Sequence, residues 1–161
     1  GCMPVRDLYR HVDWRVIFMI AAMMPLSLAM DVNHTGAGPW IAEGLLALVG
    51  GANPYLALAA IMVLTVALTQ VMSNAACVVL IAPIAIAAAD GIGAAPQPFV
   101  MAVAIAASTS FITPIGHQAN LLVYGVGNYR FTDFVRVGGP MTALIVLACL
   151  WVVPAVWPFY P

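Results

Sequence analysis

Charge is what this chain most lacks. Its 161 residues hold five basic and six acidic side chains, 7% charged against 64% hydrophobic, with mean hydropathy +1.04. Soluble domains carry roughly 25% charged residues, so a soluble globular class is excluded and an integral membrane protein is indicated. Residues 44–89, 91–129 and 137–161 contain no Asp, Glu, Lys or Arg, and a crossing helix needs about 20 mostly apolar residues. The net charge of −1 is uninformative about partners, and no basic cluster suggests nucleic acid, so no nucleic-acid partner is expected. Cysteine is scarce too. Cys2, Cys77 and Cys149 are odd in number and far apart, which reads as free thiols and not as a disulfide framework or a metal site. No phosphate loop, zinc spacing or Ser/His/Asp set is present, so an enzyme is not expected, and neither is an organic cofactor. The first long apolar run begins at Val16 and leads into further membrane segments, so no cleavable signal peptide is expected. A start at Gly1 suggests part of a larger polypeptide, although processing gives the same start.

What is present is a series of apolar segments with unusual interruptions. Arg6, Asp7, Arg10, His11, Asp13 and Arg15 precede an uncharged span over residues 16–30 that contains Pro25, and the arginines favour the cytoplasmic side. A Gly/Pro/Asn-rich connection leads to a short helical pattern over 39–49 with Glu43 on one side, suited to lie along the interface. Residues 55–89 form two apolar limbs around Ser73-Asn74-Ala75. The second limb, Ala76 to Ala89, has about 14 residues, about 21 Å as a helix against a hydrocarbon core of about 30 Å. That shortness favours a re-entrant hairpin whose tip stays in the membrane. The surface loops all carry Gly with Pro, whereas this tip carries neither. Residues 97–126 are long enough to cross, but Pro114 and Gly116 divide them into half-helices. A polar piece, Arg130 to Arg136, precedes a last span over 137–159, where Trp151, Trp157 and Tyr160 suit an interfacial belt. Three crossings with a returning hairpin put both arginine clusters on the cytoplasmic side; five full crossings place them identically.

A backbone can leave the helix inside a bilayer only where protein or a water-filled cavity satisfies its polar groups, so two polar breaks point to a solute path. Ser73 and Asn74 offer a hydroxyl and a carboxamide beside the free N–H groups of the second limb, able to hold an anion, while carbonyl oxygens can hold Na⁺. The plainer reading is that Ser73 caps that limb and Asn74 bonds nearby backbone. At the second break Ser108, Thr109 and Ser110 read as packing, with hydroxyls bonded back to their own helix. His117 and Asn120 are costlier to leave unpaired in lipid. A neutral, hydrogen-bonded His117 is favoured over a proton carrier.

Val71-Met72-Ser73-Asn74-Ala75-Ala76 with Leu80-Ile81-Ala82-Pro83-Ile84, and Ser110 to Asn120 with Val123-Tyr124-Gly125, resemble the second Ser-Asn-Thr hairpin and partner break of the divalent anion/sodium symporter family, within the ion transporter superfamily. Asp13-Trp14-Arg15, Gly36 and Arg130-Phe131-Thr132-Asp133-Phe134 fit the same pattern. The resemblance covers nearly the whole chain. It implies an all-α membrane protein, residues 1–161 forming the C-terminal half of an inverted-repeat transporter whose N-terminal repeat supplies the rest of the site. It implies sodium-coupled, elevator-type transport of sulfate or a dicarboxylate. Substrate contact falls to Ser73, Asn74, Ala75 and His117, and sodium to Ser73, Asn74 and Asn120. Ala75 replaces the usual Thr, and His117-Gln118-Ala119 stands where Thr-Pro-Pro is common, which removes hydroxyls at the substrate end. These departures resemble the sulfate-permease-like branch whose longer members carry regulatory potassium-uptake-type C-terminal domains. The expected partners are the anion, the lipid of a plasma (inner) membrane, the missing repeat and a second copy in a homodimer. Alternatives are an arsenite or sodium/proton antiporter, a proton-coupled carrier using His117, and a non-transporting subunit or truncated remnant.

Overall fold

The computed structural model describes residues 14–29, 35–50 and 53–160. The charged residues Arg6, Asp7, Arg10, His11 and Asp13, most of the connection after the first span, and Cys2 lie outside these. Among the described residues seven helices follow in order: α1 Trp14–Ala29, α2 Ala37–Val49, α3 Pro54–Thr69, α4 Asn74–Gly91, α5 Pro96–Ala107, α6 Gln118–Val126 and α7 Phe131–Val156. No strand occurs among the described residues, so the all-helical class holds.

Capping chemistry sets most boundaries. The Asn53 side chain accepts from the Tyr55 N–H at 3.0 Å and Pro54 fills the first turn of α3, where its missing donor costs nothing. The Ser73 hydroxyl accepts from the Ala76 N–H at 3.3 Å and starts α4. As a result α4 runs for 18 residues, about 27 Å. The second limb is therefore longer than the 14-residue apolar run suggested, because the cap draws Asn74 and Ala75 into the helix and Asp90 continues it. Limb length alone thus does not separate a returning hairpin from a crossing. At the other end of the chain, the Asp133 carboxylate accepts from the Arg130 N–H at 2.8 Å, and a negative group there suits the positive end of a helix. The 130–136 segment is accordingly the first two turns of a 26-residue α7, and not a separate polar piece. By length and composition α4 and α7 are the described helices able to cross a membrane.

α4 packs against α1, α2, α3 and α5, and α7 lies against α3 and α5. Between apolar helices in lipid the hydrophobic effect supplies little, and close approach of small residues supplies more. The core follows that rule. Ala57, Ala85, Ala88, Ala89, Ala102, Ala106 and Ala107 are all buried around Leu58, Ile61, Ile81, Phe99 and Val103. The exterior is apolar, with Leu48, Leu122, Val126 and Trp151 exposed, a surface suited to lipid or to further protein.

The bundle has two distinct ends. At one, Phe159 meets the Tyr55 ring edge-on at 5.1 Å and the Phe99 ring at 5.7 Å, and its carbonyl accepts from the Ala95 N–H at 2.7 Å. This joins the starts of α3 and α5 to the end of α7. Toward the other end, α3 and α4 meet at residues 70–73, and α5 and α6 are separated by residues 108–117. There Gly138 of α7 abuts the backbone of Phe111, so closely that a Cβ would stand 2.1 Å from the Phe111 oxygen. Gly138 lies seven residues into α7, about 10 Å along the helix, so α7 continues past this level. The rings of Tyr124 and Tyr129 reach Phe134 in that continuation, at 6.0 and 6.1 Å.

Candidate functional site

The interruption between α5 and α6 starts earlier than Pro114. The hydroxyls of Ser108 and Thr109 bond back to the Ala104 and Ile105 carbonyls at 3.2 and 2.8 Å, while their N–H groups reach back three residues to Ile105 and Ala106. The helix tightens and stops at Ala107, leaving ten residues of non-helical chain. These are held by side chains. Both Asn120 amide contacts go to loop carbonyls, Ser110 at 3.0 Å and Thr113 at 3.3 Å. The Thr113 hydroxyl accepts from the Gly116 N–H at 3.1 Å. Ser110 is fully buried and its hydroxyl has no partner.

His117 caps α6, its Nδ1 accepting from the Ala119 N–H at 3.2 Å. An accepting Nδ1 carries no proton, so the neutral ring bears its hydrogen on Nε2, free to donate elsewhere. Ser73 and His117 thus have matching local roles, each closing the first turn of a helix that begins at a break.

The two breaks face each other across a cleft of about 370 Å³ lined by Val71, Met72, Ser73, Asn74, Ile115, Gly116 and His117. Three of the residues expected to touch substrate, Ser73, Asn74 and His117, meet there. Ala75 is half-buried in the first turn of α4, and Asn120 holds the loop through Ser110 and Thr113; neither lines the cleft. Asn74 also touches the first limb. The Thr69 hydroxyl lies 2.7 Å from the Ala107 carbonyl and 3.0 Å from the Asn74 Oδ1 position. One hydroxyl proton cannot serve two acceptors. With the Asn74 amide turned over, its Nδ2 donates to Thr69, Thr69 donates to Ala107, and the Asn74 oxygen points away from both.

The electrostatics follow from which helix ends converge. The starts of α4 and α6 flank the cleft, and each brings first-turn N–H groups and the positive end of a helix. The ends of α3 and α5 meet beside it at the Thr69 to Ala107 contact, where the carbonyl ends of two helices bring negative potential. Such crossed half-helices can hold an anion against the starts and a cation against the carbonyls without a charged side chain.

Thr69 and Gln70 were not singled out by the sequence reading, yet both join the two breaks. Their signal was available: Thr65 and Thr69 are four apart and Gln70 adjoins them, a polar strip on one face of an uncharged helix. Gln70 is buried. Its Nε2 donates to the Val66 carbonyl at 3.0 Å and the Thr109 carbonyl at 3.4 Å, and its Oε1 accepts from the Thr113 N–H at 3.1 Å.

The chain is thus helical and apolar, with two polar breaks facing one cleft. A family model described as citrate transporter matches residues 1–106. Over 158 residues, 98% of the chain, it is 39% identical to the uncharacterized transporter YfbS of Escherichia coli strain K12. Over its whole length it is 40% identical to the uncharacterized transporter sll0640 of a Synechocystis strain, and over 91% of its length 31% identical to sodium/sulfate cotransporter 2 of Chlamydomonas reinhardtii. The chain spans about a quarter of the first two relatives, 26% of each, and 16% of the third. The chain belongs to the citrate transporter family, in keeping with its resemblance to the divalent anion/sodium symporters. The family and these three relatives are described as transporters rather than enzymes.

Proposed function

We propose that the transporter containing this chain moves a small anion, sulfate or a dicarboxylate, together with sodium, and that this chain supplies half of the site. The convergence of two helix starts and two helix ends on one cleft carries this reading, because it provides places for an anion and a cation without burying a charged side chain. Ser73, Asn74, Ala75 and His117 face the anion through side chains or first-turn amides. Ser73, Asn74 and Asn120 bind or organise the sodium site. Sulfate is favoured because hydroxyls are missing at Ala75 and at 117–119 and because a relative is named a sodium/sulfate cotransporter.

The chain acts as the C-terminal inverted repeat, with an N-terminal repeat completing the site, in a homodimer of the plasma (inner) membrane with both arginine clusters cytoplasmic. Residues 16–30, 97–126 and 137–159 cross, 39–49 lie at the interface and 55–89 re-enter. In support of a re-entrant tip, α7 continues about 10 Å beyond the level at which it touches the break. An elevator-like displacement of this body then exposes the cleft to either side.

His117 in the cleft wall favours one competing reading, proton coupling. Its cap to Ala119 is made by Nδ1, and a glutamine carboxamide, reaching as far as the imidazole Nε2, keeps a hydrogen-bonding group in the cleft wall that does not titrate while giving up the cap. We expect His117→Gln to retain at least about half of wild-type uptake and its sodium dependence, since the cap is worth only about 1 kcal/mol. Labelled sulfate uptake by both proteins from about pH 5.5 to 8, with and without Na⁺, decides the matter. Proton-driven uptake without sodium that disappears in His117→Gln would overturn sodium coupling.

A further inference from the structure

We propose that Gln70 is a positioning residue that sets the separation of the two cleft walls and thereby the affinity of the site. The inference rests on the anion-carrier reading and goes beyond it in assigning a role to a buried residue that does not line the cleft.

Gln70 follows the last turn of α3, three residues before Ser73, and faces the other break. Its amide orientation is fixed by chemistry: Nε2 meets only carbonyl oxygens, of Val66 and Thr109, while Oε1 meets only the Thr113 N–H. Turning the amide over would set oxygen against oxygen and N–H against N–H. A second link runs parallel, because the Thr113 hydroxyl donates to the Gln70 main-chain carbonyl at 3.2 Å. Thr113 is therefore held at its N–H and at its hydroxyl by one residue 43 positions earlier.

Thr113 passes that constraint on. Its hydroxyl accepts from the Gly116 N–H, and Gly116 lines the cleft next to His117. Gly116 has little room to move inward, since a Cβ there would stand 3.0 Å from Ser110 Cβ and 3.2 Å from Thr113 Oγ1. On the opposite side Gln70 is continuous with Val71, Met72 and Ser73, which form the other wall. A chain of bonds thus runs from one wall to the other without crossing the cleft. A site built from short contacts to helix starts depends steeply on such spacing.

The test uses Gln70→Met, which keeps length and apolar bulk but removes all three side-chain bonds. In the intact transporter we expect hydrogen exchange of the segment containing the Thr113 amide to rise about tenfold or more, since a buried bond is lost. The half-saturating anion concentration should rise about tenfold, with maximal uptake per molecule within about twofold of wild type. Thr113→Val removes the hydroxyl links of the same chain. The double variant should then resemble the weaker-binding single variant, whereas independent effects would multiply. Unchanged exchange, faster exchange with unchanged half-saturation, or multiplying effects would each overturn the proposal. Should Gln70→Met not fold, Thr113→Val alone must raise both exchange and half-saturation, and wild-type behaviour there overturns it equally. Sodium-independent uptake by the wild type would remove sodium coupling, while exchange and anion half-saturation still decide the role of Gln70.

Discussion

Asn74→Ala and Asn120→Ala are each expected to abolish sodium-stimulated uptake in the intact transporter while leaving expression near normal. The two losses arise differently. Asn74 lines the cleft and touches Thr69, so its removal takes away a carboxamide oxygen from the proposed sodium site and a bond between the limbs. Asn120 donates to the carbonyls of Ser110 and Thr113. Without it the loop loses the clamp that shapes the second wall. Loss of one half-buried bonded amide costs about 1 kcal/mol or more, and a drop of that size in ion affinity already means about 5-fold weaker binding. Uptake at limiting sodium is the readout, with surface expression measured in parallel. Wild-type transport by both variants would remove these residues from the site.

Gly138→Ala is expected to be the most damaging single methyl in the described chain. A Cβ at this position would stand 2.1 Å from the Phe111 oxygen and 2.5 Å from its carbonyl carbon. Both are backbone atoms, so no rotamer change relieves the clash. Ordinary overpacking costs about 1–3 kcal/mol, and this contact belongs at or above the upper end. Displacement of α7 from Phe111 would also release the loop that Asn120 and Thr113 shape, so uptake should fall with stability. Thermal unfolding of purified protein in detergent checks this, with Gly139→Ala as the control because nothing lies within 4 Å of its Cβ position. Equal melting temperatures for the two variants would refute the close contact.

The parts of this molecule that were legible in its sequence are those written in local pattern. Uncharged runs marked the helices, and Ser73-Asn74 and Thr113 to Asn120 marked the breaks because polar groups are rare in such runs. The family was legible for the same reason. Boundaries set by single hydrogen bonds were harder to read. The Ser73 cap lengthens α4, the Asp133 carboxylate starts α7 among charged residues, and Ser108 and Thr109 end α5 before any proline. What joins the breaks was least legible, since Gln70 and Thr113 are 43 residues apart and Thr69 and Ala107 are 38 apart. The polar strip of Thr65, Thr69 and Gln70 is visible locally, but it does not say which distant groups Gln70 bonds. Only the approach of α5 to α3, permitted by buried alanines such as Ala57, Ala102 and Ala106, turns it inward.

The proposed sodium-coupled anion site is made by the two facing breaks together. Its most direct test is labelled sulfate uptake by the purified intact transporter in proteoliposomes, with an inward sodium gradient as the sole driving force and unlabelled succinate as competitor. We predict accumulation that collapses when sodium is equal on both sides and that Asn74→Ala cannot support. Accumulation of sulfate or succinate that is indifferent to the sodium gradient would contradict the account.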